Sequence, residues 1–216
     1  MPLAENNTPG RVIILNGPPR AGKSSIAKEI QETFEAVWLN FGVDRYKDMI
    51  PQRYQPGIGL RPGGEGPQLE PLIQTLYAAM YESIAVHCRL GINVVADTGH
   101  HDFYSRPLNI LPRCARILDG FYVLFVGVLC PLDVIMERRA ATWGANYGYD
   151  ADGGVPEPVL RWQKAVHEHG AYDIEVDTSV SSPEEIAAAI RERVYGAAAA
   201  APAAFRRLAE SARELL

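Results

Sequence analysis

Arg11-Val12-Ile13-Ile14-Leu15-Asn16, running directly into Gly17-Pro18-Pro19-Arg20-Ala21-Gly22-Lys23-Ser24, is the stretch on which the fold turns. Its first part is a near-continuous apolar run of strand length, as expected of a strand buried on both faces. The second part satisfies GxxxxGK[ST] at every fixed position. A buried strand feeding such a loop, with a helix behind it, aims backbone N–H groups and the positive end of a helix at phosphate oxygens. Lys23 is then placed to reach the β- and γ-phosphates of a nucleoside triphosphate, and the Ser24 hydroxyl to ligate Mg²⁺. Gly17, Pro18, Pro19, Arg20, Ala21, Gly22, Lys23, Ser24 and Ser25 are accordingly the candidate nucleotide-binding residues. Arg20 occupies a position that the motif leaves variable.

Working outward, a helix is expected from Lys23 to Glu35, a second strand at Val37 to Phe41, and a third at Ile92 to Ala96 with Asp97 at its end. Between them residues 51–68 hold four prolines and five glycines without periodicity, which reads as a long functional or disordered loop. A helix from Leu69 to Leu90 follows, closed by Gly91. Further helices are expected at Pro107 to Leu118, kinked or restarted at Pro112, at Leu132 to Ala141, and at Pro158 to His169. Phe121 to Leu129 and Ile174 to Val176 read as the fourth and fifth strands. Residues 142–156 are rich in Gly and Asp and read as a mobile flap. Ser182 and Pro183 open a last domain helix to Val194. Strands alternating with helices imply an α/β fold: a doubly wound parallel sheet of about five strands with flanking helices, of the P-loop nucleotide-kinase kind.

The expected organisation is a flexible lead over residues 1–10, a P-loop kinase domain over 11–196, and an Ala-rich hinge with an amphipathic helix over 197–216. Phe205, Leu208, Ala212 and Leu215 share one face of that tail, which either docks on its own domain or makes a homo-oligomer contact. The net charge of −5, without a run of Lys or Arg, offers no nucleic-acid or anionic-membrane surface. No apolar stretch is long enough for a membrane span, and the N-terminus lacks a signal-peptide pattern. Cys88, Cys114 and Cys130 show no metal-ligand spacing and read as reduced, mostly buried thiols of a cytoplasmic protein.

Four further groups carry candidate chemistry. Asp44 follows the second strand, where loops at carboxyl ends of a parallel sheet line the ligand crevice; it is a candidate general base or a helix N-cap. Asp97 is a candidate second carboxylate at the magnesium ion. His100-His101-Asp102 reads as acceptor-pocket lining or an ordinary polar loop, and His167 and His169 as residues facing solvent or a helix dipole. Arg138 and Arg139 precede the flap, where a cation would stabilise a transferring phosphoryl group; the alternative is two surface arginines.

Several segments together resemble the chloramphenicol phosphotransferase family of P-loop kinases over residues 11–195. They are Ile13 to Gly17 leading into Ala21-Gly22-Lys23-Ser24, Phe41-Gly42-Val43-Asp44, Val126-Gly127-Val128 with Cys130, Arg138, and Val166-His167 running to Tyr172-Asp173-Ile174-Glu175-Val176-Asp177-Thr178-Ser179. The resemblance implies ATP-dependent phosphorylation of a hydroxyl on a small molecule, with Asp44 as the base and Thr178 and Ser179 near the adenine. The chain departs from the family at Ala140 to Asn146, where family members carry further arginines and a Gly-Asp-Arg stretch. Phosphate clamping by the flap is then weaker, or shifts to Arg139 or another residue. Residues 52–68 and 98–106 also differ, so the reaction type is better supported than an antibiotic acceptor. The expected function is an O-phosphotransferase using ATP and Mg²⁺ on a small hydroxylated acceptor. The alternatives are a nucleoside, nucleotide or sugar kinase, and a nucleotide-binding switch without efficient transfer.

Overall fold

Every residue of β1 (Val12–Asn16) is buried, because the strand lies at the centre of the sheet. In the computed structural model, which describes residues 8–54, 66–143, 149–150, 152–197 and 200–211, β1 pairs in parallel with β3 (Asn93–Thr98) on one side and β4 (Val123–Leu129) on the other. β2 (Trp38–Asn40) and β5 (Ile174–Asp177) complete a five-stranded sheet of order β2-β3-β1-β4-β5. All four pairings are parallel. Each consecutive strand pair must therefore be joined by a crossover, and the crossovers carry the helices.

Alternate side chains of the strands feed two separate cores. Val12, Ile14, Val94, Ala96, Val123 and Phe125 pack with α3 (Glu70–Arg89), α4 (Ile110–Ile117) and α8 (Ala204–Ser211). Ile13, Leu15, Val95, Leu124 and Val126 pack on the other face with α1 (Lys23–Thr33), α5 (Leu132–Trp143) and α7 (Pro183–Tyr195). Helices cover both faces, the doubly wound arrangement that continuous apolar strands require. Two short helices, α2 (Val43–Asp48) and α6 (Glu157–Ala165), stand at the carboxyl end of the sheet.

Several boundaries differ from the sequence expectation. Asp97 lies inside β3, which continues to Thr98. Pro112 is the third residue of α4; its missing N–H falls in the first turn, where no intrahelical acceptor exists, so it starts the helix rather than kinking it. α6 ends at Ala165, four residues early, and the chain turns through Gly170 at φ 58°. α7 opens on a reciprocal cap: Ser182 Oγ accepts from the Glu185 N–H at 3.3 Å, and the Ser182 N–H donates to Glu185 Oε2 at 2.9 Å. The chain is tied down by Gly10, whose N–H donates to the Cys88 carbonyl at 2.8 Å.

The tail docks on its own chain. Phe205 packs edge-on against Phe125 at 4.9 Å, and Leu208 lies against the same core. Asp173 Oδ1 accepts from the Ala203 and Ala204 N–H groups at 2.7 and 3.0 Å, satisfying donors at the start of α8. Ala212 and Leu215, most of the loop at 51–68, the centre of the flap at 144–148, and residues 1–7 lie outside the described residues.

Candidate active site

The loop after β1 is set by two backbone positions. Gly22 sits at φ 91° as the N-cap of α1 with no side-chain cap, a conformation that disfavours any residue with a Cβ. Arg20 also has a positive φ, of 69°. Because no side chain caps α1, its first N–H groups face the loop as a ready anion site. Lys23 folds back over the loop and donates to the carbonyls of Gly17 and Pro18, both at 2.8 Å. Burial lowers its ammonium pKa to about 8, with Asp97 and Asp44 opposing the shift. Phosphate oxygens arriving in the loop would supply the counter-charge that this buried ammonium lacks.

Beside the lysine, Ser24 Oγ donates to Asp97 Oδ2 at 3.0 Å. A hydroxyl and a carboxylate in contact at the head of α1 form an all-oxygen pair of the kind Mg²⁺ takes when phosphates and water complete its shell. The donor set therefore fits the ion. Asp97 is held from the other side by the chain itself: a Cβ on Gly42 would stand 1.5 Å from Asp97 Oδ1. Glycine at 42 is thus a requirement of close approach, and it lets α2 start against the carboxylate.

Asp44 is the second residue of α2, and the N-cap position belongs to Gly42, so Asp44 does not serve as the cap. Its side chain is 83% exposed, turns to the cavity over the loop, and lies 4.0 Å from Lys47 Nζ. The other end of the loop is stitched by Arg138 on α5. Its guanidinium donates to Thr178 Oγ1 at 2.9 Å, to the Thr178 carbonyl at 2.7 Å and to the Arg20 carbonyl at 3.4 Å. Thr178 Oγ1 in turn donates to the Ala21 carbonyl at 2.8 Å. Arg138 and Thr178 thus join α5, the end of β5 and the loop into one frame. Arg139, Pro18, Pro19 and Ser25 also line the cavity, whereas Ala21 is buried beneath it.

One cavity of about 750 Å³ holds the loop, Asp44, Asp97 and both arginines. Its second half is apolar and aromatic, with Ile73, Leu76, Tyr77 and Met80 from α3, Tyr104 from the loop after β3, and Trp162 from α6. That loop is pinned by buried Glu70, whose carboxylate accepts from the Ser105 N–H at 2.8 Å and from the Ser105 hydroxyl. Asp102 Oδ1 accepts from the Leu108 and Asn109 N–H groups at 3.0 and 2.9 Å. His101 lines the cavity, stacked on Tyr104 at 4.5 Å. His100 points inward instead: its Nε2 meets the Tyr81 hydroxyl at 2.7 Å, and burial lowers its pKa to about 3. Among the described residues no group of three or more His, Cys, Asp or Glu could hold a metal ion.

Behind the loop, Asn16 joins segments that are remote in sequence. Its Oδ1 accepts from the His100 N–H at 2.6 Å and from Thr98 Oγ1 at 3.1 Å, while Nδ2 donates to the Val166 carbonyl and the Tyr172 hydroxyl at 3.0 and 2.9 Å. Nδ2 also lies 3.2 Å from His169 Nε2. His167 and His169, expected to face solvent or a helix dipole, are instead half-buried and partnered within the chain. His167 Nδ1 meets the Tyr172 hydroxyl at 2.7 Å, and His169 stacks on Phe125 at 5.2 Å. The clustering of Asn16, His100, His169 and Tyr172 had no periodic signal, since the four come from three separate segments. A polar residue ending a buried strand was the one available clue to Asn16.

Comparison with known proteins agrees with this architecture. The family model for chloramphenicol phosphotransferase-like protein matches residues 10–195. A Mycobacterium tuberculosis protein named "Putative O-phosphotransferase" is 25% identical over 213 residues, covering 92% of this chain and 88% of its own. Among solved structures, shikimate kinase from Acinetobacter baumannii superposes with a TM-score of 0.56 at 12% identity, over 86% of this chain and 93% of its own. The Deinococcus radiodurans tunicamycin resistance protein gives 0.53 at 18% identity, over 86% and 95%. At such identities the structural likenesses speak for the fold alone. No described helix is long and apolar enough to cross a membrane. With the family model covering nearly the whole sheet and its site, this chain belongs to the chloramphenicol phosphotransferase-like family and is a phosphotransferase on the P-loop kinase fold.

Proposed function

We propose that this protein transfers the γ-phosphoryl group of ATP to a hydroxyl of a small, uncharged and largely apolar molecule. The observation that carries the reading is the single cavity in which the phosphate loop, Asp44 and Asp97 open directly onto the aromatic and aliphatic wall of α3 and α6. In this reading Lys23 and the loop amides hold the β- and γ-phosphates. Ser24 and Asp97 would hold Mg²⁺, which when bound neutralises charge on those phosphate oxygens. Asp44 takes the proton from the acceptor hydroxyl as its oxygen bonds to phosphorus and the bond to the β-phosphate oxygen breaks, leaving ADP. Arg138 and Thr178 keep the loop in register with the nucleotide end of the sheet, and Arg139, at the flap, is the candidate to close on the transferring group. The three free, buried cysteines suit a reducing, cytoplasmic setting.

The lining separates acceptor classes. An anionic acceptor needs cations in its own half of the cavity, because a buried charge without a partner is costly. The residues of α3 that line this half are Ile73, Leu76, Tyr77 and Met80, and Lys47, the cation of α2 that lines the cavity, lies 4.0 Å from Asp44 Oδ1. A neutral aromatic or aliphatic alcohol, an antibiotic such as chloramphenicol included, fits that wall better than a phosphorylated nucleotide or an acidic sugar. A nucleotide switch loses its main support, since Phe205 and Leu208 of the tail are packed within the chain.

The test is ADP release from MgATP against a panel of hydroxylated antibiotics, nucleosides and sugars, with Lys23→Ala alongside. Stimulation by neutral apolar alcohols, abolished by Lys23→Ala, is expected. Stimulation only by anionic sugars or nucleotides would sink the acceptor class. No stimulation by any acceptor, with nucleotide binding intact, would return the chain to a nucleotide-gated binding role.

A further inference from the structure

Trp162 stands on α6 and lines the cavity. Its ring reaches His101 edge-on at 6.0 Å on the acceptor side. Its Nε1, in contrast, is buried and has no hydrogen-bond partner among the described residues. Indole N–H is a donor only, so it needs an acceptor to complete it, and a buried donor left unpaired is disfavoured. That N–H lies close beside Gly99. A Cβ placed on Gly99 would lie 3.3 Å from Trp162 Nε1 and 3.5 Å from the Gly17 carbonyl oxygen. The same carbonyl accepts from Lys23 Nζ at 2.8 Å. The unfilled donor therefore lies on the Gly99 side of the loop entrance, near the carbonyl that the lysine ammonium meets, and Gly99 has no side chain to come between them.

We propose that the indole N–H of Trp162 donates a hydrogen bond to a non-bridging oxygen of the transferring γ-phosphoryl group. The inference rests on reading the cavity as a phosphoryl-transfer site. Within it, α6 supplies a second donor across from Lys23, carried on a rigid aromatic plate that also walls the acceptor half. An acceptor filling the apolar half slides along the ring, and only the group held at the mouth of the loop meets the N–H.

The chain has three tryptophans, Trp38, Trp143 and Trp162, so its indole N–H resonances are few enough to follow singly by ¹⁵N–¹H spectroscopy. The resonance lost in Trp162→Phe assigns the group. In the unmodified protein it should move downfield with MgADP plus beryllium fluoride, a γ-phosphate mimic, and stay in place with MgADP alone. Trp162→Phe, which keeps the plate and removes the donor, should weaken MgATP binding about tenfold while leaving MgADP binding unchanged, as expected for one hydrogen bond to a charged oxygen. The idea is overturned if the resonance ignores beryllium fluoride, or answers MgADP alone to the same extent. Lys23→Ala separates the two levels. If it weakens MgATP binding while Trp162→Phe does not, only the role of Trp162 fails. If neither substitution alters MgATP binding, the phosphoryl-transfer reading fails with it.

Discussion

The two halves of the cavity are built by different means. The phosphate half is mostly backbone, with one continuous loop, a left-handed Gly22, and carbonyls of Gly17, Pro18, Ala21 and Arg20 each meeting a side-chain donor. The acceptor half is side chain, assembled from α3, the loop after β3 and α6. Backbone recognition of a constant group tolerates little change and leaves a compact motif. Side-chain recognition of a particular acceptor spreads over distant segments, any of which can vary without unmaking the fold.

That contrast can be broken most severely at Asp44, which belongs to the phosphate half by position and, in the proposed reaction, to the acceptor by chemistry. Asp44→Asn should lower kcat by about 10²–10⁴-fold, the range for a general acid–base group, with MgATP affinity unchanged by calorimetry. An equal loss of MgATP affinity would instead make Asp44 a nucleotide-positioning residue. Gly42→Ala is next. The added Cβ meets Asp97 Oδ1, so thermal unfolding should show a loss of about 1–3 kcal/mol, the usual cost of overpacking. An unchanged melting curve would mean that α2 can slide away from β3.

At the acceptor wall, Leu76→Arg should raise KM for neutral alcohols roughly tenfold or more, because the cation must be desolvated for an apolar acceptor to bind. KM for MgATP should stay the same, and a parallel rise in both would show that the halves are not separable. The phosphate half can also be titrated. Burial holds the free Lys23 ammonium at about 8, and bound phosphates favour its charged form, so above that pH binding must take up a proton. Nucleotide affinity should be flat below pH 8 and fall above it by at most about tenfold per pH unit. Proton uptake measured calorimetrically in two buffers checks the sign; affinity constant to pH 9.5 would contradict it.

The smallest effect expected lies behind the site. Burial lowers the pKa of His100 to about 3 and that of His169 to about 4, below the ordinary histidine value near 6.5. Between those values the unfolded chain binds more protons than the folded one, so folding stability should fall as pH drops below about 6.5. His169→Gln should make the decline shallower in denaturant titrations at pH 7 and pH 5. An equal slope would show that His169 escapes its surroundings when it charges.

Legibility followed the same division. Gly17 to Ser24 could be read at once, because the loop's function depends on residue types at fixed local spacing. Asp97 and Asp44 could be placed at the carboxyl ends of apolar strands, since parallel strands end on a common edge. The contact between Gly42 and Asp97 could not be read, although Gly42 lay in a quoted segment, because it depends on how closely β2 and β3 approach. Arg138 was legible as a cation near the flap. Its bonds to Thr178 and to the Arg20 carbonyl depend on α5 and β5 meeting across the loop. His167 and His169 were misplaced because their setting depends on Asn16, about 150 residues away.

By itself the sequence determined the parallel sheet, the helices between its strands and the phosphate loop. Each of these is encoded by apolar runs, period and local motif, whose consequences reach only a few residues along the chain. Only the tertiary structure decided what surrounds the loop: the apolar wall of α3, the ring of Trp162 in the same cavity and the buried network around Asn16 behind it. Those contacts are set by packing between elements far apart in the chain, and packing of that kind leaves no periodic trace in any one of them.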